Sequence, residues 1–348
     1  MVISAATPSG PHPPTPLGIF QMMNAFQQTA ALCAAVELDL FSIIARGEAS
    51  AAGLARAAQA DARGVSILAD FLVIHGLLTK AGGRYGLSPE AAMFLDRRSP
   101  ACIADTAQWF GYLTERGDFN RLADAVRQGG AENIVPDPAV WVRFARSMAP
   151  MMRMPAAFVA EHLAGVVGAG GTGVPKVLDI AGGHGLYGIA VAQRYPNAEI
   201  TLVDAEPVAA VAKENATAAG VAGRYRTLPG SALPGTEGEV DFGTGYRLIL
   251  ITGFMHHFSP DMVEGLLAKA RAALADDGQV IGLDFVPNPD RVSPPMPASF
   301  SLTMLGETAH GQAYTFAEYQ AMFANAGFQT LERRDLPGLP MTALIAPR

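Results

Sequence analysis

The sequence predicts an α/β protein in which a mainly helical, winged-helix-like region precedes an open sheet with helices on both faces. Up to about residue 105, Ala- and Leu-rich stretches with helical spacing are broken only by short glycine signals and one hairpin pattern. After Pro175, short apolar runs alternate with helical runs of ten or more residues. Such alternation is typical of a parallel sheet that helices cover on both sides.

The composition limits the class of protein before any motif is considered. The chain has 348 residues, of which 50% are hydrophobic and 16% are charged, so it is globular rather than disordered or coiled-coil. Its net charge of −7 argues against nucleic acid as a main partner, because phosphate contacts need clustered Lys and Arg. Its two cysteines, Cys33 and Cys102, exclude a disulfide framework and fit a reducing compartment.

The first residues and the apolar runs bear on location. Residues 1–18 are rich in proline and small polar residues and lack the basic and apolar regions of a signal peptide, so we expect a disordered lead-in. No apolar run approaches the roughly 20 residues that cross a bilayer. We therefore expect a cytoplasmic protein without a membrane partner.

Residues 19–105 have the pattern of a winged-helix-like domain. The stretch after Arg63 has apolar residues at helical spacing, the glycine pair at 82–83 marks a hairpin, and Ser88 followed by proline opens another helix. A winged helix could bind DNA, so one hypothesis is a non-catalytic regulator that senses a cofactor through its second domain. Residues 46–98, however, carry seven basic and five acidic residues without a basic stripe, which favours a protein interface over a DNA groove.

The second domain, residues 106–348, begins with a helical connector and continues as the sheet. The connector has a break over 133–138 and ends in a Gly-rich segment at 166–175. Only about ten residues separate the last two expected strands, too few for a helical crossover, so we expect them to be antiparallel. The expected strands are 177–181, 199–203, 247–252, 279–284, 328–332 and 341–345, and the expected helices are 186–195, 207–219, 260–274 and 315–326.

A glycine-rich turn, DIAGGHG at residues 179–185, joins the first strand of the sheet to its first helix. Ligands of open α/β sheets bind at such turns, and Asp204, at the end of the next strand, is placed to hold ribose hydroxyls. The frame D-x-A-x-G-x-G is close to a loop that binds S-adenosylmethionine, whereas G-x-G-x-x-G at 183–188 matches a dinucleotide fingerprint and would indicate an NAD(P)-dependent oxidoreductase. The carboxylate of Asp179 favours the first frame, because it would repel a pyrophosphate. A structural turn without a ligand is the third alternative.

These features together resemble a known family. Over about residues 19–348 the chain resembles the class I, S-adenosylmethionine-dependent O-methyltransferases of the caffeic acid and hydroxyneurosporene type. The resemblance is carried by AVELDLFSIIARG, VLDIAGGHG, ITLVD, DFGTGYRLILITGFMHHFSPD and YTFAEYQAMFANAGF, in this order. It implies a Rossmann-like, seven-stranded methyltransferase domain behind a winged-helix dimerisation domain, and a homodimer formed through that first domain.

The resemblance also implies S-adenosylmethionine as the cofactor. It places Gly182, Gly183 and Asp204 at the cofactor, and Ser231 where the family usually has an acid near the adenine. Asp179, at the strand end, is expected to organise the glycine turn and to reach the methionine ammonium through water.

Two histidines, His256 and His257, follow the strand at 247–252, and Asp284 ends the next strand. A neutral imidazole is a suitable base for an acceptor hydroxyl, and a carboxylate behind it fixes its tautomer. The resemblance assigns the base to His256 and its support to Asp284, while a second supporting acid of the family falls at Ala313 here and is absent. We expect no metal. Two alternatives stay open: His256 only shapes the substrate site, or His256, His257 and Asp284 hold a divalent ion over a keto or enol acceptor.

A set of apolar residues lies on segments that the family folds over its acceptor. Flexible methionines tolerate varied flat ligands, and the sequence has no evident cluster of Lys or Arg for a phosphorylated one. We therefore expect a small hydrophobic, aromatic or polyene acceptor that is methylated on a hydroxyl, with carbon methylation of a keto or enol acceptor as the alternative. The expected pocket residues are Phe144, Met148, Met152, Met255 and Met304, accompanied by Met151, Phe254 and Phe300.

Overall fold

The computed structural model describes residues 14–132, 137–168 and 174–348. The expected lead-in over residues 1–13, most of the break at 133–136 and part of the Gly-rich segment at 169–173 lie outside the described residues. The chain divides into two compact units, Met1–Gly111 and Tyr112–Arg348. The domain limits at residues 18 and 105 stay predictions.

The first unit consists of short helices and one hairpin, in the expected order. β1 and β2 are antiparallel, and the two glycines between them both have positive φ, as a tight hairpin turn requires. The hydroxyl of Ser88 accepts a hydrogen bond from the backbone N–H of Ala91 and so caps α6. The elements are α1 (Leu17–Met23), α2 (Phe26–Glu37), α3 (Leu40–Ala45), α4 (Ala51–Ala57), α5 (Ala62–Ile74), β1 (Leu78–Ala81), β2 (Arg84–Leu87) and α6 (Pro89–Phe94).

The second unit contains a seven-stranded sheet and the helices that cover it. The helices are α7 (Ala107–Arg116), which spans the division between the units, α8 (Leu122–Gln128), α9 (Pro138–Phe158), α10 (Leu186–Arg194), α11 (Glu206–Ala218), α12 (Pro260–Ala273), α13 (Pro295–Glu307) and α14 (Phe316–Asn325). The strands are β3 (Lys176–Ile180), β4 (Glu199–Asp204), β5 (Tyr225–Pro229), β6 (Tyr246–Thr252), β7 (Leu274–Asp284), β8 (Glu332–Asp335) and β9 (Thr342–Pro347). None of the helices in the described residues combines the length and the apolar character needed to span a membrane.

The strand order of the sheet is β5-β4-β3-β6-β7-β9-β8. Neighbours from β5 to β7 are parallel, whereas β9 is antiparallel to both β7 and β8. The seven-stranded fold and the antiparallel final pair are therefore confirmed. Because the chain leaves β3 for β4 on one side and later returns to β6 on the other, the sheet has a switch point between β3 and β6, where open α/β sheets bind ligands.

The central strands are buried on both faces. Successive residues of one strand belong to different apolar clusters: Val177 and Leu248 pack into one, Leu178 and Ile249 into the other. This alternation explains why the strands appear in the sequence as continuous apolar runs rather than as alternating ones.

Three elements differ from the sequence prediction. β5 is not among the expected strands, because it lies at the edge of the sheet and only Tyr225 of its five residues is buried. β8, also at an edge, is the charged segment ERRD that begins at Glu332, rather than the apolar one near residue 328. α13 is not expected either, since its prolines suggest a break; they occupy the first turn, where a missing N–H costs no helical hydrogen bond.

Candidate active site

The candidate site lies at the carboxyl edge of the parallel strands. Asp204 ends β4 and Asp284 ends β7, while β3 leads into the glycine turn and β6 into the segment of His256. Parallel neighbours place their carboxyl ends at the same edge of a sheet. The residues that the sequence analysis selects therefore come to one crevice, beside the switch point.

The glycine turn packs tightly against two strands. Gly183 and Gly185 have φ angles of 57° and 75°, in the region that favours glycine. At Gly182, a Cβ atom would come within 2.5 Å of Cδ1 of Leu202 and within 2.8 Å of Cγ of Asp179. Glycine is therefore required at this position by its neighbours on β3 and β4.

Asp204 links the end of β4 to the glycine turn. Its Oδ2 accepts a hydrogen bond from the backbone N–H of Gly183 at 2.9 Å, and its Oδ1 accepts one from Ala205 at 2.8 Å. Burial raises the pKa of this carboxyl, although the two backbone donors oppose the effect. A carboxylate oxygen has two lone pairs, so each oxygen retains the capacity to accept from a ligand hydroxyl.

Asp179 has an unsatisfied oxygen beneath the turn. The side chain is fully buried, and its Oδ2 accepts from the backbone N–H of Gly188 at 3.1 Å. Its Oδ1 has no hydrogen-bond partner among the described residues. Burial, reinforced by the charge of Asp204, raises the pKa of Asp179 to about 7. A buried acceptor without a donor is costly, so a bound group that donates a hydrogen bond or carries positive charge would satisfy it.

His184 is a neutral part of the turn. Its Nδ1 accepts a hydrogen bond from the backbone N–H of Leu186 at 3.1 Å, which assigns the ring proton to Nε2. Burial lowers the pKa of His184 to about 4. The ring therefore shapes the turn without carrying charge near neutral pH.

Ser231 lies in a loop that is tied to the end of β4. The backbone N–H of Gly230 donates to the carbonyl of Asp204 at 2.9 Å. The hydroxyl of Ser231 is 2.6 Å from that of Thr236 and accepts from the N–H of Leu233 at 3.2 Å. The structure thus brings Ser231 to the same strand end as Asp204.

His256 and Asp284 form a buried pair. Nδ1 of His256 lies 2.5 Å from Oδ1 of Asp284, which also accepts from the backbone N–H of Phe285 at 2.8 Å. Because a carboxylate can only accept, Nδ1 of a neutral imidazole carries the proton and Nε2 is left as the basic nitrogen. This geometry matches the pair that the sequence analysis selects.

His257 has different surroundings. Its ring centroid lies 4.5 Å from that of His256 and 5.9 Å, edge-on, from that of Trp141 on α9. Burial and the neighbouring His256 keep the pKa of His257 well below the usual value. Among the described residues, no group of three or more His, Cys, Asp or Glu side chains is arranged to hold a metal ion.

The expected acceptor residues lie in several places. Phe300 of α13 meets the His256 ring edge-on at 4.8 Å, and Phe144 is joined to the histidine segment through Trp141. Met152 accepts from the Tyr187 hydroxyl at 3.5 Å, near the glycine turn. Met148, Met255 and Met304 are buried.

Met255 has the least access to a ligand among these residues. It is fully buried in the apolar cluster under the sheet, with its Cε within 2.7 Å of the position that a Cβ would take on Gly282. The structure therefore places it in the packing beneath His256.

Three residues near the pair escape the sequence analysis. The hydroxyl of Tyr319 donates to Oδ2 of Asp284 at 2.8 Å, Trp141 contacts His257, and Phe285 packs on Phe300 with ring centroids 4.3 Å apart. The aromatic side chain next to Asp284 in sequence is a signal that could have indicated Phe285. Tyr319 and Trp141 occupy apolar helical positions that look like ordinary core.

Comparison with known families decides the class of the protein. Residues 20–97 match the O-methyltransferase dimerisation domain, and residues 119–329 match the O-methyltransferase domain. The chain belongs to the O-methyltransferase family. The family resemblance, the enzyme class and S-adenosylmethionine as cofactor are thereby confirmed. The match favours the methionine-cofactor frame of the glycine turn over the dinucleotide frame.

Individual relatives of this O-methyltransferase cover nearly the whole chain. A 3-hydroxy-5-methyl-1-naphthoate 3-O-methyltransferase from Streptomyces sahachiroi is 29% identical, over 94% of this chain and 93% of that protein. An L-tyrosine C(3)-methyltransferase from Streptomyces lavendulae is 27% identical, over 93% of this chain and 90% of that protein. The solved structure of a candidate O-methyltransferase from Nostoc punctiforme is 45% identical, with a TM-score of 0.89, and covers 97% of this chain and 100% of that one.

Proposed function

We propose that this protein transfers the methyl group of S-adenosylmethionine to a hydroxyl of a small aromatic acceptor, with His256 as the general base and Asp284 as its orienting partner. The observation that carries the proposal is the buried contact of 2.5 Å between the two side chains. It lies in the same crevice as a glycine turn with an unsatisfied carboxylate oxygen.

The residues around the glycine turn fit this cofactor. The unpartnered Oδ1 of Asp179 would accept from the methionine ammonium, directly or through water, and the remaining lone pairs of Asp204 would accept from the ribose hydroxyls. Gly182 and Gly183 would let the cofactor lie against the backbone, with Ser231 near the adenine. When bound, the cofactor supplies a methyl group on a sulfonium sulfur, which is open to in-line displacement.

The proposed role of His256 is to take a proton from the acceptor. Its Nε2 would take the proton of the acceptor hydroxyl while the acceptor oxygen takes the methyl carbon. The methyl–sulfur bond would break in the same step, and its electron pair would leave with the sulfur of S-adenosylhomocysteine. The carboxylate of Asp284 keeps a proton on Nδ1 and stabilises the imidazolium that forms. Binding both reactants in one crevice lowers the activation barrier further, because they no longer have to meet by diffusion.

The surroundings of His256 favour a flat acceptor. Phe300 meets the imidazole edge-on, and Phe285 lies at a tilt to both of these rings. Trp141 meets the neighbouring His257 edge-on. Aromatic rings bury large apolar area and order flat ligands by edge and face contacts. The names of relatives point the same way, since they give a hydroxynaphthoate and acetylserotonin as acceptors.

Carbon methylation is a second candidate. The resemblance puts a second supporting acid at the position of Ala313, which is fully buried and has no ionisable group. One relative is named a C(3)-methyltransferase of tyrosine. The same base would serve by deprotonating a phenol, after which a ring carbon rather than the oxygen would take the methyl group from sulfur. That carbon would then lose its own proton to solvent, which restores the aromatic ring.

The first unit supplies a surface for a second copy of this chain. α1 buries none of its residues, and Phe20, Met22 and Phe26 are 54%, 81% and 66% exposed. Ile67 and Ile74 of α5 are also exposed. Such a concentration of exposed apolar side chains marks an interaction site, and the match to a dimerisation domain supports a homodimer.

Two measurements test the proposed reaction. Calorimetric titration with S-adenosylhomocysteine is expected to give micromolar binding at one site per chain. Turnover with a panel of phenols is then compared between the wild type and His256→Ala, which is expected to be slower by about 10²- to 10⁴-fold with unchanged cofactor affinity. Unchanged turnover would remove His256 from its role as base, and absence of binding would mean that the glycine turn has been misinterpreted.

A further inference from the structure

Tyr319 contacts the side of the Asp284 carboxylate that faces away from His256. It belongs to the first turns of α14, is fully buried, and donates from its hydroxyl to Oδ2 of Asp284 at 2.8 Å. Oδ1 of the same carboxylate faces Nδ1 of His256 and the N–H of Phe285. Within the described residues, the tyrosine hydroxyl is the donor that satisfies Oδ2.

We propose that Tyr319 is a positioning residue of the methyl transfer: by holding Oδ2 of Asp284, it sets the orientation and the basicity of His256. The proposal rests on the proposed role of His256 as the base. It extends the pair to a chain of three side chains that come from α14, β7 and the segment after β6.

A fully buried carboxylate needs its donors. Asp284 is 0% exposed, and an unsatisfied oxygen in such a place carries a large desolvation penalty. The second supporting acid that the resemblance implies is replaced by Ala313, whose own N–H donates to the hydroxyl of Ser301 at 3.2 Å. In this chain, further support reaches the imidazole through the carboxylate rather than from a second acid beside it.

Tyr319 is itself held firmly. Thr315 caps α14, and Glu318 completes a capping box by accepting from the backbone N–H of Thr315 at 2.7 Å. Arg291 donates to Glu318 at 2.6 Å. The neighbouring Tyr314 donates to the carbonyl of Phe258 at 2.5 Å, which ties the start of α14 to the segment that carries His256.

Among the ionisable groups around His256, Asp284 and Tyr319, Asp284 is the one whose charge acts most directly on His256. His257 has a pKa well below its usual value, so it is neutral. Burial raises the pKa of Tyr314 to about 12 and that of Tyr319 well above its usual value, so both hydroxyls remain donors. Glu318 is paired with Arg291, and His310, on the segment that packs against the His256 backbone, is exposed.

The direction of the effect follows from the hydrogen bond. The tyrosine O–H disperses part of the negative charge on Asp284. Without it, the carboxylate attracts the imidazolium more strongly, and the pKa of His256 rises. A base with a higher pKa is protonated over more of the neutral range, so the acid limb of the pH–rate profile moves to higher pH.

Tyr319→Phe tests this proposal against a matched control. The control is Tyr246→Phe, which also removes a buried hydroxyl; this hydroxyl donates to the carbonyl of Phe242 at 2.8 Å. Tyr246 is the first residue of β6 and so lies at the end of that strand remote from His256. The ring nitrogens of His256 are titrated by NMR after ¹⁵N-histidine labelling, with assignment from a His256→Ala spectrum. We expect the pKa of His256 to rise by about one unit in Tyr319→Phe and to stay unchanged in Tyr246→Phe.

Turnover separates this proposal from the proposed function. With His256 as the base, the acid limb of kcat in Tyr319→Phe should follow the NMR titration, and kcat near pH 7 should fall about 3- to 10-fold with little change in KM. If the pKa of His256 moves but turnover does not, Tyr319 controls the imidazole through Asp284 as proposed, but the base assignment fails, and with it the part of Tyr319 in the methyl transfer. An unchanged pKa, or equal shifts in both variants, overturns the proposal.

A second variant keeps the test informative if Tyr319→Phe does not fold. Site-specific 3-fluorotyrosine in place of Tyr319 preserves the ring and the hydroxyl but makes the hydroxyl a stronger donor. The pKa of His256 is then expected to fall relative to the wild type. A rise, or no change, contradicts the proposal.

Discussion

Nδ1 of His256 and Oδ1 of Asp284 lie 2.5 Å apart, and their side chains are only 5% and 0% exposed. Burial removes the hydration of both groups, and the hydrogen bond between them offsets part of that cost. The carboxylate therefore fixes the tautomer of the imidazole before any acceptor binds.

Asp284→Asn should remove this control while keeping the volume of the side chain. The amide can donate to Nδ1, which would favour the tautomer with the proton on Nε2 and so block the base. We expect kcat to fall by about 10²- to 10⁴-fold, with the affinity for S-adenosylhomocysteine unchanged. A double variant with His256→Ala should be little slower than either single variant; multiplied losses would show that the residues act separately.

Asp204→Asn should weaken the binding of the cofactor while the hydrogen bond to the glycine turn is kept. The amide oxygen can still accept from the N–H of Gly183. The amide NH2 group, however, cannot accept from the N–H of Ala205, and the charge that strengthens hydrogen bonds to ribose hydroxyls is lost. We expect the dissociation constant of S-adenosylhomocysteine, measured by calorimetry, to rise by about 10- to 100-fold. An unchanged constant would exclude the ribose role of Asp204.

The raised pKa of Asp179 predicts that cofactor binding depends on pH. A ligand ammonium favours the ionised carboxylate, so binding below pH 7 should release a proton, and affinity should increase as pH rises towards about 7. Calorimetry in buffers of different ionisation enthalpy measures this proton. Asp179→Asn should abolish the share of the proton release that comes from Asp179. Asp204 also has a raised pKa, so its share should remain. A pH dependence of affinity equal to that of the wild type would contradict the assignment.

The same shift affects the free energy of unfolding of the ligand-free protein. Asp179 has a pKa of about 7 when folded against an ordinary value of 3.8. Between these values the folded protein binds more protons than the unfolded chain, so the free energy of unfolding falls as pH rises through this window. The loss is complete above about pH 7, where both states are ionised.

The exposed apolar side chains of the first unit predict a change of oligomeric state. Phe20→Asp combined with Met22→Asp should convert a dimer into a monomer, because both side chains are more than half exposed in the single chain and a charge is costly to bury. Sedimentation velocity measures the change. Met262→Asp, at a single 37% exposed position on α12, serves as the control and should remain dimeric; a monomeric wild type would refute the proposed homodimer.

The elements that sequence analysis identifies are those whose signals are local. β3, β4, β6 and β7 are buried on both faces, so their apolar runs are visible without knowledge of the partners. Their position at strand ends predicts that His256, His257 and Asp284 lie together, and the family resemblance selects His256 as the partner of Asp284. β5 is different, because only Tyr225 of its residues is buried and Pro229 lacks the N–H that a central strand would use. Which strand lies at an edge is decided by the whole sheet.

Tyr319 shows the same limit within the site. In the sequence it is one apolar position of an amphipathic helix, since a tyrosine at such a position usually packs its ring in the core. Its hydroxyl becomes functional only because α14 lies against the end of β7. That contact joins residues 35 positions apart, and no spacing rule connects them.

The antiparallel direction of β9 determines where an attached label would sit. Thr342 pairs with Asp284, whereas Pro347 pairs with Gln279 at the far end of β7. Five residues of strand separate these pairs by about 17 Å. An affinity tag or fluorophore fused after Arg348, which is exposed, would therefore leave from the edge of the sheet opposite the active site. Immobilised protein should thus keep its crevice accessible for screening acceptors.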